Sequence, residues 1–166
     1  MSSGVTVADR VKDIFQNMKV VKADDDQKER MRLVVFHICG SCIDIEKIYR
    51  EKDLEDTDVF KFFLGLLDPD HCCYILYDCH YETKESSKKE DLVFVMWAPD
   101  TARISLKMSY ASSKSAMRSV IDGVKHQMEV HELSDCSDRD SFASTMGKNV
   151  ITLEGHPVKP VLTKTI

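Results

Sequence analysis

Hydrophobic positions along the chain change period several times, and each change marks an element. Val11, Ile14, Phe15 and Met18 recur at helical spacing and predict a first helix over 9–18 packed on a sheet, with Thr6-Val7-Ala8-Asp9 reading as its capping box. The polar run Lys22 to Glu29 predicts a loop. LVVFHIC is β-branched and aromatic, and Gly40-Ser41 turns it into CIDIEKIY, so the pair reads as a hairpin. Glu55, Asp56 and Asp58 then precede VFKFFLGLL, where Phe60, Phe63, Leu64 and Leu67 share a face; this predicts a second helix whose amino end is complemented by negative charge and which Asp68-Pro69-Asp70 stops. CCYILYDCHYE and DLVFVMW read as strands joined by a charged link, Thr83 to Lys89. A long third helix is expected over about 105–121, ending near Asp122-Gly123.

Alternation of Val124, His126, Met128 and Val130 predicts a further strand. Asp138 to Met146 predicts a short helix with Phe142 and Met146 inward and Gly147 as terminator, before the strand VITLE. This order argues for an α/β (α+β) single domain: a central mixed sheet of about five to six strands with helices on both faces. The domain is expected over 1–155, followed by a polar tail over 156–166.

Composition narrows the possible work. The longest apolar runs, such as LVVFHIC and LVFVMW, fall well short of the ~20 residues a spanning helix needs, and the first residues lack the apolar core of a secretion signal, so an intracellular protein is expected. The formal charge of -5 comes from scattered acidic residues, which argues against nucleic acid as a partner. Six cysteines without a secretion signal are expected as free thiols. Cys39 and Cys42 form a lone C-x-x-C, and Cys72, Cys73 and Cys79 lie near His71 and His80, so a thiol or metal protein is one alternative; against it, strand alternation spreads Cys72 and Cys79 over opposite faces, and the C-x-x-C straddles a turn rather than opening a helix. There is no Gly-rich phosphate loop, no G-x-S-x-G and no H-E-x-x-H, so no enzyme and no cofactor is expected.

The segment WAPDTARISLKMSYASSK, from Trp97 to Lys114, passes through Ala98-Pro99 into a helix too polar to be buried. Ile104, Met108 and Ala111 follow helical spacing, while Lys107, Ser112, Ser113 and Lys114 fill the remaining arc with short or cationic groups. Periodicity alone permits Met108 either in the core or on a contact surface.

YETKESSKKEDLVFVMWAPD followed by KMSYASSK resembles the actin-depolymerising factor and cofilin family. The match covers about Tyr74 to Lys125, with agreement at MSSGVTV and ITLEG and a loose region from Lys22 to Pro69. The resemblance implies that family's homology fold and a monomeric, non-catalytic partner of actin monomers and filaments, cytoplasmic and on the actin cytoskeleton, which promotes depolymerisation and severing and prefers ADP-bound subunits. It also implies roles for particular residues. Ser3 matches the inhibitory phosphorylation site, served by a kinase and a phosphatase, with Gly4 and Val5 beside it in the contact surface. Lys107 and Met108 match positions that enter the cleft of actin, with Ser112 and Ser113 keeping the approach close. Lys88 and Lys89 match a filament-binding basic pair, although one extra serine in ESSKKED shifts it and a solvated charge run is the competing reading.

Asp91 and His126 match a pH-dependent pair tied to phosphoinositide release, with His126 as a simple strand-edge cap the alternative. Departures from the family remove cations. Ser105 and Arg118-Ser119-Val120 stand where lysines are common, leaving Arg118 and Lys125 nearby, so phosphoinositide binding is expected to be weak. The basic import segment is interrupted across Lys28, Glu29, Arg30, Met31 and Arg32, which leaves diffusion as the route to the nucleus. A monomer binder with little severing is the alternative within the same class.

Overall fold

A strand buried on both sides dictates the architecture. In the computed structural model, which describes residues 4–20, 26–85 and 87–159, the apolar run after Pro69 forms a central strand whose odd and even residues enter separate cores. The elements are β1 (Thr6–Val7), α1 (Asp9–Lys19), β2 (Met31–Cys39), β3 (Cys42–Arg50), α2 (Val59–Gly65), β4 (Cys73–Thr83), β5 (Lys88–Trp97), α3 (Ile104–Val120), β6 (His126–Val130), α4 (Arg139–Met146), β7 (Val150–Leu153) and β8 (His156–Pro157). The sheet runs β1-β3-β2-β4-β5-β6, with β7 pairing the far end of β4 and β8 pairing β7. β1 with β3 and β5 with β6 are parallel; the other pairs are antiparallel.

On one face Leu33, Val35, Ile75, Tyr77, Val93 and Val95 meet α2 and α4. Phe63 stacks on Tyr77 with ring centroids 5.1 Å apart and packs on Phe142 at 5.8 Å. On the other face Val34, Phe36, Tyr74, Leu76, Phe94 and Met96 meet α1 and α3. All four periodic residues of α1 (Val11, Ile14, Phe15 and Met18) are buried there. Helices therefore cover both faces, as the order of elements predicts.

Four expectations change. Thr6 does not cap α1: its N–H donates to the Ser41 carbonyl at 2.9 Å, which commits it to β1, and Ala8 takes the N-cap position without a side-chain bond. Lys88 and Lys89 lie within β5, opposite Glu82 and Tyr81, rather than in a link. The sheet gains two-residue strands at β1 and β8 that are too short to leave a period in the sequence. The fold also continues past 155, because β8 pairs with β7 and Val158 is buried in the first core. Residues 160–166 of the expected tail lie outside the described residues.

The turn into β8 explains that continuation. Glu154 adopts φ 51 and Gly155 φ 80, the left-handed region that costs a non-glycine residue some energy. Glu154 is held there by Arg32, which is 2% exposed and donates to it at 2.6 Å, and by the Tyr77 hydroxyl. Arg32 also donates to Glu51 at 2.7 Å, so the buried charge is answered twice.

Removing the ring at the centre of the first core should be costly. Phe63→Ala is expected to lower the free energy of unfolding by about 3–5 kcal/mol, read from urea denaturation as a lower midpoint with an unchanged slope.

Candidate functional site

The parallel pairing of β5 with β6 forces the chain to return across the sheet, and α3 is that crossover. At about 100° per residue, Tyr110, Ser113 and Met117 fall on one side of α3, and these are its buried residues. Ile104, Met108, Ala111 and Ser115 fall on the opposite side, all exposed. Ile104 is 71% and Met108 65% exposed, which decides the question that periodicity left open: the apolar stripe faces outward and the inner face is supplied by other residues.

Tyr110 fixes the helix to the sheet. Its hydroxyl accepts from the Ile38 N–H at 2.9 Å, while the Tyr74 hydroxyl donates to the Tyr110 carbonyl and the two rings lie 5.0 Å apart. Burial pushes the Tyr110 hydroxyl up to about 12, so it stays a neutral hydrogen-bonding group. At the start of the helix, the Asp100 N–H donates to the His131 carbonyl at 3.0 Å and the Lys107 ammonium donates to the Asp100 carbonyl at 3.3 Å.

Lys107, Lys114 and Arg118 share one flank of the stripe. Lys114 pairs with Glu129 on β6 and is thereby neutralised, whereas Lys107 is directed at a carbonyl dipole and Arg118 is exposed. Ser112 is exposed on the other flank. Ser113 requires a correction: it is 0% exposed and faces the sheet, so it cannot keep the approach of a partner close. Its small side chain sits between Tyr110 and Met117 on the inner face, where a larger one would push α3 outward.

β1 lies alongside α3. Gly4 is exposed with φ 78, and Val5 is half-buried against the second core, so the amino-terminal segment runs beside α3. Ser3 lies outside the described residues. Lys88 and Lys89 are exposed but alternate across β5, so they point to opposite faces. They stand at the far end of a ten-residue strand from Trp97, a span of about 30 Å at ~3.3 Å per residue.

Asp91 and His126 come together. His126 Nε2 lies 3.1 Å from the Asp91 carboxylate, which also accepts from the Tyr81 hydroxyl at 2.6 Å. Burial alone would raise the Asp91 carboxyl, but the bonds from Tyr81 and His126 outweigh it and hold the group below its ordinary value. Sequence reading missed Tyr81, which sits ten residues away on the neighbouring strand and leaves no spacing signal. It also missed a polar cluster on the other face, where Arg30 bridges Asp78 at 2.7 Å and Glu90, and His80 Nε2 lies 3.4 Å from each carboxylate. Those three acidic and histidine side chains are the one group of potential metal ligands among the described residues, and Arg30 already supplies their counter-charge. Cys72, Cys73 and Cys79 do not gather: Cys72 enters the second core, while Cys73 and Cys79 enter the first.

Residues 4–145 match the family described as cofilin/tropomyosin-type actin-binding protein. Among solved structures, the chain is similar to a Streptomyces griseoflavus cofilin at 28% identity and TM-score 0.69, covering 85% of this chain and 98% of that one. It is similar also to Plasmodium berghei actin depolymerization factor 2, at 25% identity and TM-score 0.68 over 82% and 92%. Human coactosin-like protein shares the fold at 12% identity and TM-score 0.64, over 99% of each chain.

The depressed Asp91 carboxyl has a definite sign. A group held below its ordinary 3.8 stabilises the fold above that pH and loses its contribution as the pH falls toward the folded value. Wild type is therefore expected to be more stable than Asp91→Asn at neutral pH, with the difference closing below about pH 4, measured by urea unfolding across an acid series.

Proposed function

Because the chain belongs to the cofilin/tropomyosin-type actin-binding family, we propose that it binds actin monomers and filaments through α3 and the amino-terminal segment, and that it promotes filament depolymerisation and severing. The observation that carries this reading is the outward stripe of α3. Ile104 and Met108 are exposed although the inner face of the same helix is fully packed. Adjacent exposed apolar side chains rimmed by polar groups mark a contact surface, and a thioether adapts to an irregular groove. Lys107 and Arg118 on the flank supply positive charge against an acidic partner.

No bond need be made or broken for this work. A ligand that prefers one subunit arrangement over another shifts the population by its difference in affinity alone. Lys88 and Lys89, about 30 Å along β5 from Trp97, are too far for the same contact and suit a second subunit of a filament. Ser3 precedes the anchored Thr6 by three positions in the sequence, and a phosphate on it would add about −1.5 to −2 charges that repel an acidic partner. A kinase and a phosphatase would then set the fraction of protein able to bind.

Asp91 with His126 supplies a pH-responsive pair near Lys125, and Lys125 and Arg118 offer weak phosphoinositide binding. The second reading, a monomer binder with little severing, is favoured by one observation: alternation sends Lys88 and Lys89 to opposite faces, so a flat filament surface meets one of them at a time.

Met108→Ala and Lys107→Ala are each expected to weaken monomer and filament binding by about 1–3 kcal/mol, on the order of tenfold to hundredfold in Kd, with thermal unfolding unchanged. Co-sedimentation and labelled-monomer titration measure this; wild-type affinity in both variants would remove α3 from the contact. Ser3→Glu is expected to reduce affinity where Ser2→Glu does not, and equal affinity for Ser3→Glu and wild type would reject the phosphorylation switch.

A further inference from the structure

The C-x-x-C at the β2–β3 turn has no part in the proposed actin contact, yet its geometry is specific. Cys39 and Cys42 are directly opposed in the hairpin register, separated only by Gly40-Ser41, with Gly40 at φ 64 in the left-handed region. Directly opposed cross-strand residues have Cβ atoms about 4.5–5.5 Å apart, and a disulfide needs about 3.5–4.5 Å, so a small adjustment at the open end of the hairpin closes the gap. Cys39 is exposed and Cys42 half-buried, whereas the other four cysteines are buried. Burial pushes the Cys73 thiol up to about 12 and that of Cys136 up to about 11, which suppresses the reactive anion there.

Two further contacts tie this pair to the rest of the molecule. The Arg10 guanidinium, paired with Asp44, is within electrostatic reach of both sulfurs. The Cys42 thiol also donates to the Ile43 carbonyl at 3.5 Å, the same oxygen that accepts from the Ala8 N–H at 3.0 Å, and Thr6 pairs with Cys42 in β1. The dithiol is therefore part of the seat on which the amino-terminal segment rests.

We propose that Cys39 and Cys42 are a redox-active dithiol that closes a cross-strand disulfide when the protein meets a peroxide, and that closure loosens the seat of β1. The exposed Cys39 sulfur, as thiolate, attacks one peroxide oxygen; the O–O bond breaks, and the leaving oxygen takes up a proton to give water or an alcohol. The resulting sulfenic acid is attacked by the Cys42 sulfur, its S–O bond breaks, and the hydroxyl departs with the Cys42 proton as a second water. Two thiols are oxidised by two electrons and one peroxide is reduced. Closure withdraws the Cys42 S–H from the Ile43 carbonyl and draws in the strand end that holds Thr6.

The chemistry stands apart from the actin reading; only its consequence for binding rests on that reading. The test treats the reduced full chain with hydrogen peroxide, blocks remaining thiols with an alkylating reagent, and maps peptides by mass. The expected result is two thiols lost, a linked Cys39–Cys42 peptide, restoration by dithiothreitol, and no such link in Cys39→Ser or Cys42→Ser. Hydrogen exchange of the oxidised chain is expected to show loss of protection at the Thr6 amide, with the core strands unchanged. Free Cys39 and Cys42 after peroxide, stable sulfenic acid on Cys39, or links to a second copy would each overturn the disulfide; unchanged Thr6 exchange in the linked protein would overturn the coupling. Actin pelleting of the linked protein is a separate arm: if wild-type reduced protein pellets with filaments and the linked form does so less, the seat matters to binding. If the reduced protein fails to pellet, the actin reading falls and the dithiol stands.

Discussion

The pinning of α3 by Tyr110 is the interaction on which the surface depends. A polar crossover helix with only three fully buried side chains has little apolar area with which to hold its rotation, and a turn of the helix would bring Met108 inward and expose Tyr110. The Ile38 N–H donating to the Tyr110 hydroxyl, and the Tyr74 hydroxyl donating to the Tyr110 carbonyl, fix that rotation through hydrogen bonds in a partly dry environment. Ser113 supports them by being small. With the rotation set, Ile104, Met108 and Ala111 have nowhere to go but outward, and the apolar stripe is a consequence of the inner contacts.

Charge is distributed with the same economy. The chain is acidic overall, yet several of its cations are already engaged: Lys114 of α3 with Glu129, and elsewhere Arg30 with Asp78 and Glu90 and Arg10 with Asp44. Beside the stripe Lys107 is directed at a carbonyl, and Arg103 and Arg118 are exposed. A surface of this kind draws its specificity from a few placed charges around an apolar centre rather than from a broad basic field, which suits a protein partner better than a polyanion.

The sequence carried the long elements because their periods are set by burial. α1 was legible because Val11, Ile14, Phe15 and Met18 fill one core, and the β2–β3 hairpin because Gly40-Ser41 interrupts two β-branched runs. Elements fixed by backbone pairing alone were not legible: β1 consists of two residues whose place is decided by Ser41 and Ile43, so Thr6 resembled a helix cap when its N–H was committed to a strand. The outward stripe of α3 was half legible. Spacing grouped Ile104, Met108 and Ala111 correctly but could not give the direction, because which side faces the sheet is decided by Tyr110 and its distant partners Tyr74 and Ile38. For the same reason Ser113 was placed on the wrong side. Lys88 and Lys89 resembled a loop because charge masks a strand that pairing with Glu82 and Tyr81 extends. Asp91 and His126 were paired from family resemblance, while Tyr81, their hydrogen-bonding third member, left no trace in the linear sequence.

The most direct test of the outward stripe as the contact is a methyl spectrum of protein labelled at methionine, recorded alone and with monomeric actin. Met108 and Met117 lie on opposite sides of α3 and serve as each other's control. The account predicts that the Met108 methyl shifts or broadens on adding actin while the Met117 methyl stays in place. An unmoved Met108 signal in a solution where the protein is demonstrably bound would contradict it.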